Sequence, residues 1–380
     1  MITNLTFITA HPNPASHFVE YVRSCEDAGV ECQVIAGNAV SGKFATLGKR
    51  VIEIDLDRPD LLEALNSQLA SQSVVITDLA TEKWAELFEQ LEAKHPDIRR
   101  VVYYDNPEAE VPGFYSKVAA RVIPTAHTVL FANRSLVEKG VRDGEGNQID
   151  LSGKTLFGIG YYPKEEANKI AKARADRASV EHIRRRLFER NGIPNEPKKR
   201  VLVYAGGANE DYYTHAFPHF MKLIAELAKQ SDSPLQDTVL VLQQHPRAPK
   251  EGDKDANEVK RFLTSTELPK GFHVIISDLK TPEALAIADG VLYYQTSMAA
   301  QFIFAGIPTV VQVGHDEYQD VATRSGVPKV ATSGELSHAL SPETPAPSSR
   351  SLEEDLGIDS SWRESFIRAI RSQLDEPPQI

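Results

Sequence analysis

Residues 288–314 read ADGVLYYQTSMAAQFIFAGIPTVVQVG. An apolar run at 290–294 gives way to Thr296 and Ser297, then to a helix-length segment carrying Ala299, Ala300, Phe302 and Phe304. Gly306-Ile307-Pro308 ends that segment and opens a second apolar run at 308–313. Strand, helix and strand joined by short punctuation is the pattern of a βαβ unit built on a parallel sheet. The same rhythm extends outward in both directions. Earlier in the second half, strands are expected at 201–204, 238–242 and 273–276. In the first half they are expected at 5–9, 32–36, 51–54, 73–77, 100–104, 128–132 and 155–159, each bounded by Gly, Pro, Asp or Asn. Two doubly wound α/β domains in tandem follow from this.

The expected division is a Rossmann-like domain at 1–163, a helix and linker at 164–197, a second Rossmann-like domain at 198–340, and a Ser/Pro-rich stretch with a terminal helix at 341–380. Helices are expected at 16–28, capped by Ser16, and at 59–69. Residues 164–190 read as one long helix, stopped by the Gly and two Pro of NGIPNEPKKR at 191–200. Near the end, Trp362, Phe366, Ile367, Ile370 and Leu374 recur at helical spacing, so a terminal helix should dock back across the two domains. The carboxyl ends of both sheets should face a shared cleft, and ligands are expected just beyond those ends.

Composition excludes several classes. The 380 residues include 42 basic and 53 acidic side chains, a net charge of −11, which disfavours a nucleic-acid backbone as partner. Hydrophobic residues at 41% and charged ones at 25% fit a globular chain and not a disordered one. No apolar run approaches the roughly 18–20 residues that span a bilayer, and the opening stretch lacks a leader pattern, so a cytoplasmic protein is expected. Cys25 and Cys32 are the only cysteines, too few for a disulfide framework. Neither a His-Glu-x-x-His pattern nor a carboxylate cluster with ligand spacing occurs, so no metal site is expected.

Three motifs follow strands of the second half. Thr296, Ser297 and Met298 precede a helix start, where hydroxyls and free N–H groups suit a phosphate. VLVLQQHPRAP at 239–249 delivers His245 and Arg247 at a strand end, an imidazole and a planar guanidinium fork that suit phosphate oxygens or a base edge. VLVYAGGANEDYY at 201–213 places Gly206 and Gly207 where a backbone could approach a diphosphate closely.

On these motifs, and on the helix–Ala-Asp–strand–Ser/Thr pattern of TPEALAIADGVLYYQTS at 281–297, the chain resembles glycosyltransferases of the two-domain GT-B architecture. His245-Pro246 and Thr296-Ser297 are similar to pairs that hold the donor phosphate in bacterial sialyltransferases and in capsule and glycerophosphate polymerases. A branch using UDP-sugars has a Glu five residues before a Gly-x-Pro that binds the ribose; Gln301 stands there in this chain. The same branch has an acid-Gln pair reading sugar hydroxyls, with Asp316, Glu317 and Gln319 in a similar setting. The resemblance implies transfer of a sugar from a nucleotide-activated donor, UDP-, CMP- or GDP-linked, to a hydroxyl of a carbohydrate, lipid-linked or protein acceptor, without metal or further cofactor.

The first domain should then supply a base for the acceptor hydroxyl. His11 in FITAHPNPASHF and Asp105 in VVYYDNPEAEVPG, with Glu108 close behind, stand at strand ends. The acid pair that sialyltransferases use as base is not matched, and Asp143-Gly144 reads as a hairpin turn. The alternatives are a nonhydrolysing nucleotide-sugar epimerase, whose opening Gly-Thr-Arg-Pro-Glu-like loop is replaced here by TAHPNP, and a noncatalytic nucleotide-sugar-binding protein. Residues 169–200 hold eleven basic and four acidic residues; they read as a solvated helix and linker, or as a face for an anionic acceptor or a membrane surface.

Overall fold

Parallel strands covered on both faces must be apolar along their whole length; the central expected runs form such strands, while those at 51–54 and 155–158 are only partly buried. The computed structural model describes residues 5–48, 51–109, 114–194, 199–207, 210–245 and 254–375. The chain divides into two units, Met1–Pro163 with Glu353–Ile380, and Lys164–Leu352. The stretches expected as linkers at 164–197 and 341–352 thus fall within the second unit, and the chain's end belongs to the first.

Among the described residues, the first unit holds seven strands: β1 Leu5–Thr9, β2 Cys32–Gly37, β3 Val51–Ile54, β4 Val74–Thr77, β5 Arg99–Tyr104, β6 Thr128–Phe131 and β7 Thr155–Gly158. All pair in parallel, in the order β3-β2-β1-β4-β5-β6-β7. Alternate side chains serve opposite layers. Ile8, Val75, Val102 and Tyr104 pack with Trp84, Leu87 and Phe88 on one face. Phe7, Ile76, Val101 and Tyr103 pack on the other with Phe18, Tyr21 and Val22.

The terminal helix Trp362–Asp375 closes that second face. Phe366, Ala369 and Ile370 are fully buried there, the Phe366 ring stacks on Tyr21 with centroids 4.2 Å apart, and Thr128 Oγ1 donates to Gln373 Oε1 at 2.7 Å. These contacts lie in the first unit, and the helix completes that unit's core. Periodicity showed that the helix has an apolar face, but not what that face covers.

Among the described residues, the second unit holds six parallel strands: β8 Arg200–Ala205, β9 Thr238–Gln243, β10 His273–Ile276, β11 Gly290–Tyr293, β12 Val310–Val313 and the unforeseen β13 Lys329–Val330. Their order is β10-β9-β8-β11-β12-β13. Each sheet reverses direction beside its first strand, between β1 and β4 and between β8 and β11, and a crevice for ligands opens at such switch points.

Three local expectations change. The first helix spans Pro12–Asp27, not 16–28, because Pro12 and Pro14 fit a first turn that needs no N–H donors; Ser16, inside the helix, donates to the Pro12 carbonyl at 3.0 Å and accepts from Lys43 Nζ at 2.7 Å. The long helix expected at 164–190 is two helices, Glu165–Ala175 and Arg177–Arg190. Asp176 leaves helical geometry between them and its carboxylate accepts from the Ser179 N–H at 3.2 Å, a cap that competes with continuation. Within the Ser/Pro-rich stretch, the helix Ser349–Asp355 buries Leu352 completely.

Much of the basic run is consumed inside the second unit. Arg174 donates to the carbonyls of Leu285 and Ala288 at 3.0 and 2.6 Å, and Arg184 reaches the Lys199 carbonyl and Asp289. Arg186 pairs with Glu283 at 2.8 Å and Arg190 with Asp278 at 2.6 Å. These arginines tie the helix pair to the segment around the helix Thr281–Ile287. Arg174→Ala should therefore lower unfolding free energy by about 1–2 kcal/mol in urea titration, and an unchanged midpoint would count against this role.

Candidate functional site

In the second sheet, Gln243, Ala205, Tyr293 and Gln312 lie in register across four neighbouring strands. The residues that follow them leave from one edge: His245 after β9, Gly206 and Gly207 after β8, Tyr294 to Met298 after β11, and His315 and Asp316 after β12. This edge includes the switch point.

Gly206 donates its N–H to the Gln243 carbonyl at 2.9 Å, and a Cβ there would stand 3.0 Å from that oxygen and 3.6 Å from the His245 nitrogen. A Cβ on Gly207 would meet the Tyr212 ring at 2.8 Å. Both glycines thus have a packing reason inside the protein, beside the phosphate approach expected of them. Thr296 Oγ1 accepts from the Met298 N–H at 3.1 Å and shapes the turn before the helix Ala299–Phe304. Pro246 and Arg247 lie outside the described residues.

Gln301 is placed differently from its expected ribose role. It is buried, and its Oε1 accepts from the Ala167 N–H at 3.1 Å, satisfying an open donor in the first turn of Glu165–Ala175. Glu317 and Gln319 are exposed.

Asp316 is half-buried within a group the sequence did not single out. Tyr294 Oη stands 2.6 Å from Asp316 Oδ2 and 2.6 Å from Asp211 Oδ2. Lys329 Nζ lies 3.3 Å from Asp316 Oδ1, and His315 Nε2 lies 3.6 Å from Asp211 Oδ1. The His315 ring has Tyr294 and His215 at 5.4 Å and His219 at 6.5 Å between centroids. Burial opposes ionisation of Asp316, but the hydrogen bonds from Tyr294 and Lys329 outweigh it and hold its carboxyl below the usual range. Burial and the two carboxylates push the Tyr294 phenol upward. The only sequence signal for these residues was their place just beyond strands or in the turn after one.

The first unit has its own cluster at the ends of β1, β4 and β5, three adjacent strands. Asp78, directly after β4, accepts on Oδ2 from Thr9 Oγ1 at 2.8 Å and from the Ala10 and His11 N–H groups at 2.9 and 3.2 Å. On Oδ1 it accepts from the Ala80 N–H at 3.0 Å and Trp84 Nε1 at 2.8 Å. This carboxylate fixes the loop that carries His11. His11 is exposed and caps the first helix, with Nδ1 accepting from the Asn13 N–H at 3.4 Å.

Asp105 is only 5% exposed. Asn13 Nδ2 donates to its Oδ2 at 2.6 Å and Tyr115 Oη to its Oδ1 at 2.7 Å. Burial raises its pKa; the bonds from Tyr115 and Asn13 and the field of His11 oppose the rise, and the nearby Asp78 adds to it. Glu108 is also buried, with its backbone carbonyl held by Tyr104 Oη at 2.7 Å. Asp143 forms a turn as expected: it accepts from the Glu145 and Asn147 N–H groups at 2.9 and 2.8 Å beneath an antiparallel bridge between Arg142 and Gln148.

No protein-family model and no curated protein sequence matches this chain. Solved structures do. The UDP-GlcNAc 2-epimerase of Methanocaldococcus jannaschii is 12% identical with a TM-score of 0.61, over 97% of this chain and 100% of that one. The α,α-trehalose 6-phosphate synthase of Burkholderia multivorans is 12% identical with a TM-score of 0.59, over 98% and 99%. The UDP-GlcNAc 2-epimerase of Neisseria meningitidis, bound to UDP-GlcNAc, is 10% identical with a TM-score of 0.59, over 98% and 100%. The chain has the GT-B fold. The GT-B likeness takes in both sheets and nearly every residue, so the two switch points belong to the shared architecture. Among the described residues, no helix is long and apolar enough to cross a membrane.

Proposed function

We propose that this chain is a glycosyltransferase that moves a sugar from a nucleotide-activated donor, held by the second unit, to a hydroxyl acceptor. The observation that carries the reading is the single register line from which Gly206, His245, Thr296 and Ser297 emerge at the switch point of the second sheet. The GT-B neighbour bound to UDP-GlcNAc supports a nucleotide sugar as the ligand class. In the reaction, the acceptor oxygen attacks the anomeric carbon and gives up its proton. The bond from that carbon to phosphate breaks and the electron pair stays on the phosphate oxygen. Hydroxyls of Thr296 and Ser297, with the His245 imidazole, meet the charge that develops there.

Asp105 takes the acceptor proton. Its raised pKa brings a carboxylate towards the range where a base works well. His11, whose Nδ1 accepts from the Asn13 N–H, offers its Nε2 as a donor to the acceptor.

A thermal-shift panel of UDP, GDP, CMP, CDP and ADP tests the binding half, because a ligand that binds only the native chain raises its melting temperature. One nucleotide should stabilise the protein, and Ser297→Ala should weaken that nucleotide by about tenfold, as for the loss of one hydrogen bond to a charged group. A panel without any shift overturns the reading. Epimerisation is the second reading, favoured by the two matched epimerases; product formation from the nucleotide sugar with no acceptor present would select it.

A further inference from the structure

We propose that Asp211, His315 and Asp316 form a binding site for one first-row divalent transition-metal ion. The proposal does not rest on the nucleotide reading. One ligand atom from each residue lies within 4.8 Å of the other two, although the residues come from separate loops, after β8 and after β12. An ion would draw one atom of each side chain to about 2.0–2.2 Å. The three side chains are 45%, 26% and 32% exposed, so the ion would keep water on its open side.

Two further observations stand beside this grouping. Tyr294 Oη stands 2.6 Å from a carboxylate oxygen of both Asp211 and Asp316, yet a phenol has one hydrogen to donate. One of these contacts is therefore oxygen against oxygen unless a further cation or proton sits nearby. Lys329 engages only the Asp316 side. Separately, His219 Nε2 is shut off from solvent and has no hydrogen-bond partner among the described residues, and its ring lies 6.5 Å from that of His315. Imidazole with carboxylates favours zinc, manganese, iron or cobalt over calcium and magnesium, which prefer oxygen alone.

The test is calorimetric titration of zinc sulfate into the chelator-treated full chain, with no nucleotide present. One equivalent should bind, and Asp211→Asn and His315→Ala should each weaken it by about tenfold to a hundredfold. His338→Ala, at an exposed histidine site elsewhere in the second unit, should leave the affinity unchanged. Melting of each metal-free variant confirms that it is folded. Absence of saturable binding, or equal affinity in parent, Asp211→Asn and His315→Ala, overturns the site. Either failure leaves the nucleotide reading standing, because that reading is measured without metal.

Discussion

Asp105→Asn should reduce kcat by about 10²–10⁴-fold, the usual contribution of a positioned base, while the protein stays folded. The amide keeps the shape of the carboxylate and can still accept from Tyr115 Oη, which donates at 2.7 Å. It has no lone pair basic enough to take a proton from a hydroxyl. Because the carboxylate is buried, its replacement also changes how stability depends on pH. The folded chain holds the Asp105 proton to a higher pH than the unfolded chain does. Between the ordinary carboxylate value and the raised one, the unfolded state binds fewer protons, so stability falls as pH rises. Asn removes that fall. Melting curves across the acid range should show a shallower decline in Asp105→Asn than in the parent. Parent-like turnover by the variant would clear Asp105 of the base's role.

Asp78→Asn should have the larger effect on stability, about 3–5 kcal/mol, or a fall in Tm on the order of 10 °C. The carboxylate has five donors directed at its two oxygens: a hydroxyl, three backbone N–H groups and the Trp84 indole. Asn turns one of those oxygens into an NH₂ group, which faces donors and leaves them unsatisfied in a site with no exposure to water. The loop through Ala10 and His11 loses its anchor as well, so activity should fall further than the loss of folded protein explains. Thermal melting with kinetics on the folded fraction separates the two effects. An unaltered Tm would show that the anchor is dispensable.

The sheets were legible because strands buried on both faces cannot hide: Leu5 to Thr9 and Val239 to Leu242 are apolar or β-branched at each step. β13 was not, since Lys329 and Val330 give no periodicity in two residues. The break at Asp176 was missed because the amphipathic pattern runs on either side of it, and only the folded chain shows its carboxylate capping Ser179. His11 and Asp105 could be picked out at strand ends, whereas Asp78, followed by Leu79 and Ala80, looked like any turn. Gly206 and Gly207 announced a close approach, and within the protein Gly206 meets the Gln243 carbonyl and Gly207 the Tyr212 ring. Asp211 and His315 stand far apart along the chain, and no spacing rule joins them. Their meeting depends on the register of β8, β11 and β12.

The return of Trp362–Asp375 to the first core sets a schedule for biosynthesis. A ribosome releases residues 5–163 long before Phe366, Ala369 and Ile370, and at about 5–20 residues per second the delay is on the order of ten seconds or more. Throughout that interval the nascent first unit carries a bare aromatic surface around Phe7, Tyr21 and Tyr161. Early termination products would keep it permanently, which makes them candidates for chaperone capture.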